Sequence, residues 1–278
     1  MTPPQTSDLA PEQHKTTARA GSAARPGSAV LDDLPLIGCV VVVTAGPWRG
    51  ELSSLFTRRG AKVVETSALA FGLVSPDHAA LERLIDMIVR RDVHAVTFSS
   101  AVDASAMMDA AGTNGMRGEL LAALRTDVTV VCADPVCARP LELLGLVPLR
   151  PDRARPGAMV STLCTGLPSR IRREVSLPDG RALVLQGFAA VIDNTPSLLP
   201  PLPAAVLAEL ARQPGWVVSR ADLLRRVWAA RGAGTEKRDE HAVEATVARL
   251  RAALGPNAAL IKTVTKRGYR LAVEGEVW

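Results

Sequence analysis

From Leu34 onward, short β-branched runs alternate with amphipathic stretches, and at Arg170 that alternation stops. Cys39 to Val43 is a continuous apolar run, as a parallel strand buried on both faces requires. Glu51 to Arg59 reads as a helix closed by Gly60, and Lys62 to Glu65 as a second strand. Between His78 and Arg91 the apolar residues Leu81, Leu84, Ile85, Ile88 and Val89 fall on one helical face. His94 to Phe98 and Val128 to Cys132 supply further strands, and Val147 to Leu149 a short last one. Helices are expected after Ser99-Ser100, over 135–144 and over 156–167. Strands and helices in this order predict an α/β lobe, a single doubly wound parallel sheet of flavodoxin-like type.

Beyond Arg170 the period changes. Residues 173–177 and 181–186 flank Pro178-Asp179-Gly180, the chemistry of a hairpin turn, and 189–192 offers another strand. Helices then follow over 204–212, 220–228 and 240–254, and a second hairpin (261–264 and 269–271) closes the chain around Lys266-Arg267-Gly268. The expected organisation is a disordered tail (1–33), an α/β lobe (34–168) and a winged helix-turn-helix domain (169–278). Residues 1–30 are rich in Pro, Ala, Thr, Ser and Gly and bury too little apolar area to offset chain entropy.

Charge separates the two halves. From Leu31 to Pro168 there are 13 Lys/Arg against 15 Asp/Glu; from Trp216 to Trp278 there are 12 against 7. A basic C-terminal quarter suits a polyanion, nucleic acid being the commonest, or an ordinary solvated face. The four cysteines form no CxxC pair and have no nearby histidine, so neither a zinc site nor a secreted disulfide framework is expected. No cofactor is expected either. The longest apolar run is too short to span a bilayer and no signal peptide stands out, so the expectation is a cytoplasmic protein without membrane contact.

The third C-terminal helix carries the functional argument. Val243, Val247, Leu250 and Leu254 form its core face, while His241, Ala245, Ala248, Arg249 and Ala252 lie opposite. Small residues there let a helix approach the floor of a major groove, where Arg249 reaches a guanine edge or a phosphate, flanked by Thr246 and Arg251. A plain amphipathic surface helix reads the same way in isolation. The surroundings favour DNA: Lys237 and Arg238 precede the helix, and Lys262, Lys266, Arg267 and Arg270 sit on the closing hairpin, whose tip suits a minor groove.

Gly215 to Arg220, Leu223-Leu224, Val227-Trp228, Val243 to Leu254, Thr263-Val264 and Arg267 to Leu271 together resemble the output domain of OmpR-type response regulators, over about 170–272. The resemblance implies a recognition helix in the major groove and a wing on the minor groove of double-stranded promoter DNA. It also implies a loop (229–239) able to meet RNA polymerase or a neighbouring protomer. Ala252-Ala253 departs from the basic residues usual there.

The lobe carries no nucleotide fingerprint: Gly46 to Gly50 is not GxGxxG, and Pro47 removes an amide. Thr44 and Ser99-Ser100 stand where a phosphorylated receiver domain needs acidic residues. Residues 34–38, 60–64, 92–101, 132–138 and 151–158 instead resemble uroporphyrinogen-III synthase. That resemblance implies one lobe of a two-lobed enzyme whose active site is the cleft between lobes, so a single lobe is expected to be degenerate. Asp134-Pro135-Val136-Cys137 replaces the family's Gly-Pro-x-Thr turn, placing a carboxylate where an acid-rich substrate would sit. The cleft tyrosine has no counterpart. Thr44, Ser99, Ser100 and Cys137 are candidate contacts for a carboxylated or tetrapyrrole-related effector, with simple helix capping by the serines as the alternative. The expected function is a DNA-binding transcriptional regulator whose lobe senses a small molecule or forms a homodimer. The rivals are a synthase in which two chains rebuild the cleft, and an adaptor whose winged helix binds protein.

Overall fold

The structure, a computed structural model, describes residues 29–44, 46–66, 78–228 and 240–273. The tail expected over 1–33 lies outside them as far as residue 28; Ala29–Asp33 forms a short helix, α1. Its Leu31 is buried against Ile37, Val184 and Val191.

The first half is a parallel sheet with helices on both faces. Strands β1 (Val40–Val43), β2 (Lys62–Glu65), β3 (Ala95–Phe98) and β4 (Thr129–Cys132) lie in the order β2-β1-β3-β4. All three pairings are parallel. The valine run of β1 is buried at every position because alternate side chains enter different cores. Val40 and Val42 pack with α3 (His78–Val89), α4 (Ala101–Thr113), α5 (Arg117–Thr126) and α6 (Pro135–Glu142). Val41 and Val43 pack with Phe56 of α2 (Arg49–Arg58) and with Met159 and Leu163 of α7 (Pro156–Ile171).

Two expectations are corrected here. The strand over 147–149 reduces to one bridge, Val131 to Leu149. Pro148, lacking an N–H, cannot extend a ladder. Helix α7 runs past Leu167 to Ile171, absorbing Pro168 near its C-terminal end, where a proline removes a single helical bond.

The second half opens with an antiparallel meander, β5 (Arg173–Ser176), β6 (Ala182–Gln186), β7 (Ala189–Ile192) and β8 (Thr195–Leu198). β8 was not read from the sequence because Pro196 interrupts it; the strand lies at the sheet edge, where a missing donor is tolerated. Helical segments follow, the last of them a 3-10 turn at Gly255–Leu260 that leads into the closing hairpin. α8 spans Pro201–Leu210, and α9 (Arg220–Leu223) continues into a widened π-type turn, Leu224–Trp228. α10 spans Glu240–Leu254. A π turn brings residues five apart onto one face, so Leu223 and Trp228 both enter the core. The hairpin β9 (Ile261–Val264) and β10 (Gly268–Leu271) completes the domain.

The meander is pinned to the lobe. The Phe188 amide donates to the Gly38 carbonyl at 2.7 Å. The Gln186 side-chain amide donates to the Pro35 and Ile37 carbonyls at 3.0 Å, and its oxygen accepts from Arg172 Nε at 3.0 Å. A Cβ at Gly38 would lie 2.5 Å from the Ala189 amide nitrogen, so only glycine admits this approach.

Candidate nucleic-acid interface

α10 separates its faces as its period requires. Val243, Val247, Leu250 and Leu254 are buried. His241, Ala245, Ala248, Arg249 and Ala252 are exposed, so the small-residue strip faces solvent. Arg249 has no hydrogen-bond or ion-pair partner among the described residues. Glu244 shares this face and was missed in the sequence, although it lies three residues after His241. Its carboxylate accepts from Arg220 Nε at 3.2 Å and lies 3.5 Å from His241 Nδ1.

The wing stands beside this helix. Arg251 reaches across from α10, its guanidinium donating to the Ile261 carbonyl at 2.7 Å and to Thr263 Oγ1 at 2.8 Å. Tyr269 is buried, and the guanidinium groups of Arg220 and Arg251 lie 5.2 and 6.0 Å from its ring centroid. The α8–α9 turn closes against β10 through Val218 and Tyr269, whose amides exchange bonds of 2.8 and 3.0 Å. Lys262, Lys266 and Arg267 are exposed, with no partner among the described residues. Lys266 turns the hairpin at φ 59°.

Three candidate contacts are corrected. Thr246 is 3% exposed and donates to the Ala242 carbonyl; it belongs to the core face. Arg270 is 8% exposed and cannot reach a groove as placed. Arg251 is spent on the wing and is a positioning residue for it. Lys237 and Arg238, with the loop 229–239, lie outside the described residues.

In the lobe, the sheet does bring Thr44, Ser99, Ser100 and Cys137 together. Thr44 is buried and donates to the Thr97 carbonyl at 2.8 Å; Cys137 is buried and its Sγ donates to the Phe98 carbonyl at 3.3 Å. Both groups are spent on main chain, which corrects their candidacy as ligand contacts. Ser100 caps α4, accepting from the Val102 amide at 3.1 Å. Ser99 is half-buried at the same turn. The Cys132 thiol is pushed up, first by its hydrogen bond to Cys137 and then by burial, so it stays protonated.

Asp103, in the first turn of α4, is buried, and its Oδ2 has no hydrogen-bond partner among the described residues. Burial raises its pKa from 3.8 to about 6. A folded pKa above the unfolded one means that ionisation opposes folding above the higher value and has no effect below the lower. Asp103→Asn is therefore expected to gain about 1–3 kcal/mol of stability near pH 7 and nothing below about pH 4, by urea unfolding at both.

Comparison with known families fits this division. Residues 4–161 match the model described as uroporphyrinogen-III synthase HemD, more than half of the chain. The chain belongs to the uroporphyrinogen-III synthase family. In this family member the match begins well ahead of the expected start at Leu34. Residues 194–271 match the model described as transcriptional regulatory protein, C terminal, which covers β8 to β10 and leaves β5 to β7 outside. The two together make a synthase-like lobe joined to an OmpR-type winged helix. Among solved structures, the DNA-binding domain of E. coli CadC is 25% identical, covers 37% of this chain and 94% of its own, and has a TM-score of 0.29. Thermus thermophilus uroporphyrinogen III synthase is 22% identical over 47% of this chain, with a TM-score of 0.28; the match spans 52% of that enzyme. Response regulator DrrB of Thermotoga maritima, an OmpR/PhoB homolog, is 15% identical over 85% of this chain and 100% of its own, with a TM-score of 0.30. No curated protein matches the sequence. Among the described residues no helix is long and apolar enough to cross a membrane.

Proposed function

We propose that this protein is a DNA-binding transcriptional regulator, with a synthase-like lobe at 34–168 and a DNA-binding half at 169–278. One observation carries the reading. The exposed alanine strip of α10, with Arg249, lies beside a hairpin that carries Lys262 on β9 and Lys266 and Arg267 at its tip, and none of these four cations has a partner among the described residues. Small side chains let the helix axis close on a major groove, Arg249 reads a base edge, and the wing lysines and Arg267 neutralise phosphates. His241 and Glu244 extend the reading surface toward the start of the helix. The lobe serves as a degenerate sensor or dimerisation unit, and promoter DNA and RNA polymerase are the macromolecular partners.

Arg249→Ala is expected to weaken specific promoter binding by about 1–3 kcal/mol. Arg267→Ala is expected to weaken binding evenly across sequences and to lower the salt slope by about 1. Fluorescence anisotropy at several salt concentrations separates these two behaviours.

The HemD match supports one further reading, a synthase active when two chains rebuild a cleft. Conversion of hydroxymethylbilane by purified protein tests it. The regulator reading expects no turnover at enzyme-like rates, and such turnover would overturn the degenerate-lobe assignment.

A further inference from the structure

A cavity of about 390 Å³ lies where the two halves meet. One wall comes from the lobe, with Arg91, His94 and Asp127; the other comes from β6, the β6–β7 turn and α8, with Leu185, Phe188, Ala208 and Glu209. Arg170 and Arg173, at the crossing from α7 to β5, sit between the walls, and Arg212 lies on the α8 side. The lining therefore holds four arginines against two carboxylates. Both carboxylates are already engaged. Asp127 Oδ2 accepts from Arg91 Nε at 3.1 Å, and the two oxygens of Glu209 face Arg226 at 2.8 Å and Arg212 at 3.4 Å.

Neither carboxylate neutralises the central pair. Arg170 has no partner among the described residues, and Arg173 makes one long bond, 3.4 Å, to the Ala208 carbonyl. Ile171, Leu185, Phe188 and the alanines of α8 share the lining with them and supply its apolar floor. Phe188 is itself held edge-on to the His94 ring, with centroids 4.4 Å apart. Arg91, whose φ of 57° closes the end of α3, lines the same cavity with its guanidinium held by Asp127.

From this arrangement we infer that the junction cavity is a binding site for a small dicarboxylate with a compact carbon body. Planar guanidinium forks match carboxylates in pairs, the excess of two positive charges matches two carboxylates, and the floor receives the hydrocarbon. The cavity is large enough for a small metabolite. An occupant touches lobe, crossing segment and α8 together, and α8 packs on α10. Binding therefore resists separation of the two halves and reports the ligand to the helix proposed to enter DNA. This site is distinct from the turn at Ser99-Ser100, and it extends the regulator reading without depending on it.

Isothermal titration of the full chain, without DNA, tests the site with phthalate and succinate as probes. Phthalamide, the uncharged analogue, and inorganic phosphate, which lacks a carbon body, are the comparisons. Phthalate is expected to bind, and Arg170→Ala and Arg173→Ala each to weaken it about tenfold or more. Arg153→Ala, on a different cavity at the start of α7, is expected to leave it unchanged. Arg170 and Arg173 are exposed, so circular dichroism of both variants is expected to match the parent. Absence of heat with both dicarboxylates at millimolar concentration overturns the proposal. So does equal binding by phthalamide or phosphate, or affinity unchanged in both arginine variants. None of these outcomes touches DNA binding, which stands or falls on its own.

Discussion

Trp228→Ala is expected to destabilise the winged-helix half by about 3–5 kcal/mol, the range for truncating a large buried aromatic. Trp228 is among the largest fully buried side chains and packs in one cluster with Leu207, Leu210, Val247 and Leu250. It reaches that cluster only because the helix widens over Leu224–Trp228. Alanine would leave a cavity between α8 and α10 that their backbones cannot close without moving. The loss should be confined to one half, because the lobe has its own two clusters on either face of its sheet. Hydrogen exchange provides the check: amides of α8 and α10 should lose protection while those of β1 and β3 keep theirs. Equal loss in both halves would mean that the two fold as one cooperative unit.

Gly268→Ala should remove the wing. A Cβ there would lie 2.1 Å from the Val218 carbonyl oxygen and 2.9 Å from Ser219 Cα, both rigid backbone, at a φ of +138°. The substitution breaks the two Val218–Tyr269 bonds and forces a conformation that L-residues avoid. The cost is about 3–5 kcal/mol, from roughly 1 kcal/mol per bond and 1–3 kcal/mol of backbone strain. Because the same contact seats Tyr269 between Arg220 and Arg251, DNA affinity should fall with it. Anisotropy and a denaturation midpoint on the same preparation test both effects. A stable variant with parental affinity would show that the turn at Val218 does not support the wing.

Residue spacing made much of this architecture legible. The valine run of β1 announced a strand buried on both faces, and the 3.6-residue period of Val243, Val247, Leu250 and Leu254 placed α10 from Glu240 to Leu254. Thr246 was misplaced for a reason the same period contains. It lies three residues after Val243 and four before Leu250, so it belongs to their face. Arg270 was judged by its charge, whereas every residue of β10 is buried beneath its neighbours. Thr44 and Cys137 illustrate a deeper limit. Spacing put them at strand and helix ends, but their commitment to the Thr97 and Phe98 carbonyls depends on contacts 53 and 39 residues away. Gln186, which joins the halves through Pro35 and Ile37, is invisible for the same reason. Helix α5 carries only a short signal in the sequence, Leu120, Ala123 and Leu124 on one buried face.

The charge distribution now has a structural meaning. Among the described residues of the C-terminal quarter, exposed cations without partners gather on the wing and at Arg249, while Arg220, Arg225 and Arg226 are held by Glu240, Glu244, Asp222 and Glu209. The positive field of the C-terminal quarter is thus concentrated on one surface rather than spread evenly, as steering toward a duplex requires.

Footprinting of the duplex upstream of the protein's own coding region, with parent and Arg249→Ala side by side, tests the central claim most directly. The account predicts a discrete protected segment with the parent, lost or strongly weakened with the variant at the same salt. No protection at low salt, or an identical footprint with both proteins, would contradict it.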